Sequence, residues 1–181
     1  MKFGVRLPNS GPLANRANMI QVALEAELLG FHSIWVHDHI LWGSEQHRTH
    51  LSAGSAEALD ESQKPNFYES ITTLSYLASM TKKVKLGMAV LVLPLRNPVV
   101  AAKQLANLDI LSEGRLIVGV APGAPNITKS EFAAVGVSYE ERGKVTDEYM
   151  AAIRKIWSEN LPSFSGKYTN FNEVQIFPKP A

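Results

Sequence analysis

Asp38 and His39 stand at the end of an apolar run, Ser33-Ile34-Trp35-Val36, with His37 between them and the run. Three titratable groups at one strand end can accept, donate or relay protons, and an imidazole does so near neutral pH. A short apolar run of this kind reads as a buried parallel strand. In a βα barrel, the groups at the C-terminal ends of such strands line the active site. His39 is therefore the candidate acid–base residue. Asp38 could accept a hydrogen bond from a bound ligand, orient a neighbouring imidazole, or cap a helix. Strand alternation turns His37 to the other side from Asp38, which gives it a structural reading.

Other residue groups carry less chemistry. His37 and His39 form a His-x-His pair, and His47 and His50 have i, i+3 spacing, but no histidine follows His50 to supply ligands from later strands. No metal site is expected. Gly119-Val120-Ala121-Pro122-Gly123 follows a strand without the spacing of a phosphate-binding fingerprint, and Pro122 lacks an amide donor. Arg115 follows Gly114 at a strand start, the end of a barrel opposite to catalysis, so it reads as structural. Trp35 reads as core; Trp42 could wall or cover a pocket. The chain has no cysteine, which excludes disulfides, thiolate catalysis and cysteine metal sites.

The elements that must position these groups alternate between strand and helix. Strands are predicted over residues 2–7, 33–37, 84–93 and 115–120. Helices are predicted over 16–29, with Ile20, Ala23, Leu24 and Leu28 as its inner stripe and Gly30 as its cap; from Asn66, with Glu69 completing a capping box and Phe67, Ile71, Leu74 and Ala78 inside; from Pro98 after Asn97; and from Ser138, with Glu141 completing a second box. A polar loop over 41–65 has the length of a lid or binding loop. The segment after Leu161 reads as a short hairpin or extended chain. Alternation of this kind implies a parallel sheet in a single domain spanning 1–181, either an open doubly wound sheet or part of a (β/α)8 barrel.

With 45% hydrophobic and 19% charged residues, the 181-residue chain has an ordinary soluble profile and enough apolar content for a core. The net charge of +1 and scattered basic residues give no footprint for nucleic acid or a membrane surface. No apolar run approaches the ~20 residues that span a bilayer. The start alternates like a strand and is interrupted by Arg6, so no signal peptide is read and the expected location is cytoplasmic.

Several segments together resemble the luciferase-like monooxygenase superfamily, its F420-dependent branch above all. They are Glu27-Leu28-Leu29-Gly30-Phe31-His32 running into the strand and Asp38-His39; Val84-Lys85-Leu86-Gly87-Met88-Ala89-Val90; Arg96-Asn97-Pro98 through Leu108-Asp109 to Gly114-Arg115 and Gly119; and Phe132-Ala133-Ala134-Val135-Gly136-Val137 with Glu140-Glu141-Arg142. The resemblance implies a TIM-barrel fold with only about its first four βα units present. It implies an oxidoreductase that transfers a hydride to or from the deazaflavin F420, with an FMN-dependent monooxygenase as the alternative and a non-catalytic half-barrel, binding a flavin-like ligand or a partner half, as the reading of another class.

On that resemblance His39 is catalytic, and Asp38, His39, Met88, Ala89, Val90, Pro122 and Gly123 lie at the cofactor. A non-proline cis peptide falls within Met88-Ala89-Val90, which form an apolar shelf for the ring. Pro122 and Ala124 depart from members that carry a hydroxyl or an acid after the fourth strand. The substrate is expected to be a small molecule. Four strands leave an open inner face, so a homo-oligomer or association with a complementary half-barrel is expected.

Overall fold

The computed structural model describes residues 1–41, 66–124 and 128–181. In chain order the elements are β1 (Gly4–Arg6), β2 (Ser10–Gly11), α1 (Arg16–Leu28), β3 (Ser33–Val36), β4 (Asn66–Phe67), α2 (Ser70–Ala78), β5 (Lys85–Val92) running into a 3-10 turn (Leu93–Leu95), α3 (Pro98–Leu111), β6 (Leu116–Ala121), α4 (Lys129–Ala134), α5 (Arg142–Ser158), β7 (Phe164–Ser165) and β8 (Asn170–Phe171). The main sheet has the order β1-β3-β5-β6 with every neighbour parallel. Four successive βα units in this order are half of a TIM barrel, as the sequence implies.

One face of the sheet builds the core. Ile34, Val36, Leu86 and Met88 are fully buried against Ala23, Leu74, Leu77, Ala101, Leu105 and Ile156 from the helices. The other face is built around Trp35. A Cβ on Gly4 would lie 2.4 Å from its indole, and one on Gly87 only 2.2 Å away. Glycines on the two flanking strands therefore make room for the ring. Trp35 is half-buried on the face turned away from the helices, not in the core where its sequence context places it.

Helix ends follow their local chemistry, with four departures from expectation. In α1, Asn15 accepts from the Asn18 amide, and Gly30 takes a positive φ of 78° just past the end. Its buried residues are Met19, Ala23 and Ala26, while Leu24 and Leu28 are exposed, so the inner stripe is rotated from the predicted one. Asn66 and Phe67 do not start α2: they pair antiparallel with β2, and Glu69 is itself the N-cap. In α3, Asn97 accepts from the amides of Val99 and Val100 ahead of Pro98, as expected. α4 lies where no helix is predicted, and α5 starts at Arg142 with no side-chain cap, so Ser138 and Glu141 form no box. The terminal hairpin pairs β7 with β8.

At the N-terminal end of the sheet, Arg115 donates to the carbonyls of Ser112, Ala78 and Val84 and to Thr81 Oγ1, which closes the end of α2. This is the structural role read from its position. Glu27 holds the entry to β5 by accepting from the amides of Lys82, Lys83 and Val84 at 2.6–3.0 Å. Among the described residues, no helix is long and apolar enough to cross a membrane.

Candidate functional site

The C-terminal ends of β1, β3 and β5 are fastened to one another by side chains that leave the strands. Asn9, fully buried, donates to the carbonyls of His37 at 2.9 Å and Tyr68 at 3.1 Å and accepts from the His37 amide at 3.2 Å. It continues the β1–β3 pairing beyond the last ladder bond. Alternation along β3 then sends Asp38 to the helix side and His37 to the opposite side.

Asp38 is buried, and its carboxylate is taken up by the protein. Oδ1 accepts from Ser70 Oγ at 2.8 Å and Arg96 Nη2 at 2.6 Å, while Oδ2 accepts from the Val92 amide at 2.9 Å and Arg96 Nη1 at 2.6 Å. Four donors fill the roughly four acceptor sites of an ionised carboxylate. The direct cofactor contact implied by resemblance would have to displace one of them. The structure instead gives Asp38 the work of locking the end of β3 to α2 and β5. Arg96 also reaches Glu69 Oε1 at 2.6 Å. Burial alone would lower the Arg96 pKa, but the paired Asp38 and Glu69 carboxylates outweigh it and hold it above its ordinary value.

His39 meets a partner 92 residues away in sequence. Its Nδ1 lies 2.8 Å from Glu131 Oε2, and its ring stands edge-on to Phe67 with centroids 5.1 Å apart. Glu131 is fully buried, whereas the His39 side chain remains 16% exposed. The other Glu131 oxygen accepts from the amides of Ile40 at 2.7 Å and Leu41 at 3.1 Å. A buried carboxylate thus holds both the ring and the chain that follows it.

The shelf is smaller than expected. The Ala89–Val90 peptide is cis, where the resemblance implies a non-proline cis bond, and the register to β6 shifts between Met88 and Leu91. Ala89 and Val90 are exposed there, but the Met88 side chain is fully buried in the core. Alternation turns the Met88 side chain toward the helices, and the exposed residues of the shelf are Ala89 and Val90. His37 lies beside it, with Nδ1 3.3 Å from the Ala89 carbonyl.

The loop after β6 contributes mainly by packing. Pro122 is exposed. Gly123 has φ 97°, and a Cβ on it would lie 2.9 Å from Thr128 Oγ1 and 3.1 Å from the Phe132 ring. Gly123 therefore lets the loop press against α4, next to Glu131. His47, His50 and Trp42 lie outside the described residues. Among those described, no three His, Asp or Glu side chains gather into a metal-sized group.

Sequence reasoning missed Asn9, Arg96 and Glu131. The signals were faint: a polar residue just after a strand, an arginine beside the Asn97-Pro98 helix start, and an acid directly before an apolar Phe132. The arrangement offers an imidazole with a fixed orientation and an exposed apolar shelf at the same end of one sheet. A tricyclic flavin-type ring needs such a floor and a hydrogen-bonding group beside it, so these residues fit a ligand of that class.

The chain belongs to the luciferase-like monooxygenase family, whose model matches residues 1–181. It is 36% identical over 118 residues to an FMNH(2)-dependent dimethylsulfone monooxygenase of Pseudomonas putida, covering 64% of this chain and 31% of that protein. It is 32% identical over 163 residues to an F420-dependent glucose-6-phosphate dehydrogenase of Kineococcus radiotolerans, covering 87% of this chain and 42% of that protein. The solved structure of monooxygenase RslO1 from Streptomyces bottropensis superposes with a TM-score of 0.74 at 26% identity, over 99% of this chain and 50% of that one. The chain thus spans less than half the length of these two curated relatives, and the family includes both F420-dependent and FMN-dependent members.

Proposed function

We propose that this chain is the cofactor-facing half of an F420-dependent oxidoreductase acting on a small molecule, with His39 as its acid–base residue. The observation that carries this reading is His39 itself. It is partly exposed at the end of β3, with its ring held by a buried carboxylate, at the same sheet end as the exposed Ala89–Val90 shelf. When bound, a deazaflavin supplies hydride transfer. Ala89 and Val90 would take one face of the ring. His39 would hold or release the proton that must accompany a change in charge at the reacting centre. Asp38, Arg96 and Asn9 keep the strand ends in place and touch no reacting atom.

FMN is the second reading, and the 36% identity to an FMNH(2)-dependent relative favours it. Absorbance titration of the purified chain with F420 and with FMN separates the two. Tighter binding of F420 supports the proposal. Tighter binding of FMN replaces it with the monooxygenase reading, and binding of neither removes both.

A further inference from the structure

We infer that Arg6 binds the anionic end of the substrate, and that this substrate is a small molecule carrying a carboxylate, phosphate or sulfonate group. The inference rests on the proposed oxidoreductase reading for calling that ligand a substrate. The anion subsite itself stands on the placement of Arg6.

Alternation fixes the side on which Arg6 leaves the sheet. Val5 and Leu7, before and after it, both pack in the core against the helices. Arg6 therefore faces the open side, as Gly4 does, where a Cβ would lie 2.4 Å from the Trp35 indole. In register Arg6 is level with Trp35, and Trp35 with Gly87, two residues before Ala89. Two strand spacings, about 10 Å, separate Arg6 from the strand that carries the shelf. The side chain reaches toward the strand ends, with Nη2 3.4 Å from Ser10 Oγ. Ser10 pairs with Phe67, whose ring stands edge-on to His39. The guanidinium thus lies to one side of the shelf, where it suits the far end of a substrate and not its reacting atoms.

The described residues supply Arg6 with no counter-charge. The four strands of the main sheet contain no Asp or Glu. None of the ion pairs among the described residues includes Arg6. Arg96 and Arg115, which fasten the fold, are filled by the Asp38 carboxylate and by backbone carbonyls. Arg6 has only the neutral Ser10 hydroxyl at long range. In the free chain it is exposed and solvated. A ring and substrate covering the open face would strip that water, which is costly for a cation left unpaired. A guanidinium offers a planar fork of donors that matches a two-oxygen anion.

The test follows the Nε–Hε signal of Arg6 in a 1H–15N correlation spectrum of the full chain, assigned by its loss in Arg6→Gln or Arg6→Lys. Inorganic phosphate and acetate are titrated separately at constant ionic strength, so that general screening does not change. The expected result is a saturable shift of the Arg6 signal with at least one of the two, without a matching shift at the exposed Arg16 of α1. No shift at Arg6 with either anion, or the same shift at Arg16, overturns the inference. The titration is then repeated with the cofactor that the wild type prefers already bound. A persisting Arg6 response supports the substrate subsite. A cancelled response assigns Arg6 to the cofactor's own phosphate and overturns it. If Arg6 responds but neither F420 nor FMN binds, the anion subsite stands and the proposed function falls. If a cofactor binds and Arg6 stays silent, the proposed function stands and the inference falls.

Discussion

Arg96 meets Asp38 with both ends of its guanidinium, Nη1 on Oδ2 and Nη2 on Oδ1, each at 2.6 Å. The pair joins Asp38, two residues past the end of β3, to the turn after β5, and Nη2 extends the link to Glu69 at the start of α2. Three chain segments separated in sequence therefore share one planar cation, a geometry that Lys cannot reproduce.

Arg96→Ala leaves the buried Asp38 carboxylate without its counter-charge. Losing one member of a buried pair costs about 3–5 kcal/mol, so the variant should show a fall of that order in urea unfolding. Asp38→Asn combined with Arg96→Gln should recover part of it, since neither charge is then stranded. A stability loss under about 0.5 kcal/mol in Arg96→Ala, the usual range for surface changes, would show that the pair is not what fastens these segments.

Stability should also decline in acid, with a sign set by two carboxyls. Burial pushes Glu69 up, but the Thr72 amide and the Arg96 guanidinium outweigh it and leave its pKa below the ordinary range. Burial likewise raises Glu27, but the amides of Val84, Lys83 and Lys82 bring it below. A carboxyl with a lower pKa folded than unfolded stabilises fully above its unfolded value, about 4.3, and loses that contribution as pH falls through the folded value. Urea midpoints should drop below about pH 5, and the drop should be shallower in Glu27→Gln. Equal slopes in the two proteins would refute the assignment to Glu27.

The legible part of the fold is the part written locally. The apolar run at 33–36, the Asn97-Pro98 helix start and Gly30 with its positive φ each state their structure within a few residues. Asn66 to Glu69 misleads because the local pattern of a capping box competes with a nonlocal strand pairing to Ser10 and Gly11, and the pairing wins. The six residues of α4 are too few to show a helical period. The site divides the same way. His39 and the shelf follow from strand ends, but which acid serves His39 is decided across 92 residues by where α4 lands. Nothing near Glu131 in sequence announces that.

Gly87 should tolerate no side chain while Trp35 stays in place. A Cβ would lie 2.2 Å from the indole, so Gly87→Ala must displace the ring or the strand, at a cost of about 1–3 kcal/mol. Trp35→Leu in the same chain should relieve most of that cost, and a double-mutant cycle in urea reads the coupling directly. Additive effects would mean that the close approach is absorbed elsewhere.

The shelf can be tested without knowing the substrate. Val90 is 39% exposed, so an acid there is solvated in the free protein and should leave folding nearly unchanged. Under an apolar ring the same acid must be desolvated or must push the ring away. Val90→Asp should therefore weaken binding of whichever cofactor the wild type prefers by at least about tenfold, or ~1.4 kcal/mol. Val100→Asp is the control, because Val100 is 53% exposed on the first turn of α3 and is not part of the Ala89–Val90 shelf. It carries the same added charge with no ring to disturb, and its affinity should match the wild type. Parallel losses in both variants would trace the effect to net charge, and an unchanged affinity in Val90→Asp would move the ring off the Ala89–Val90 shelf.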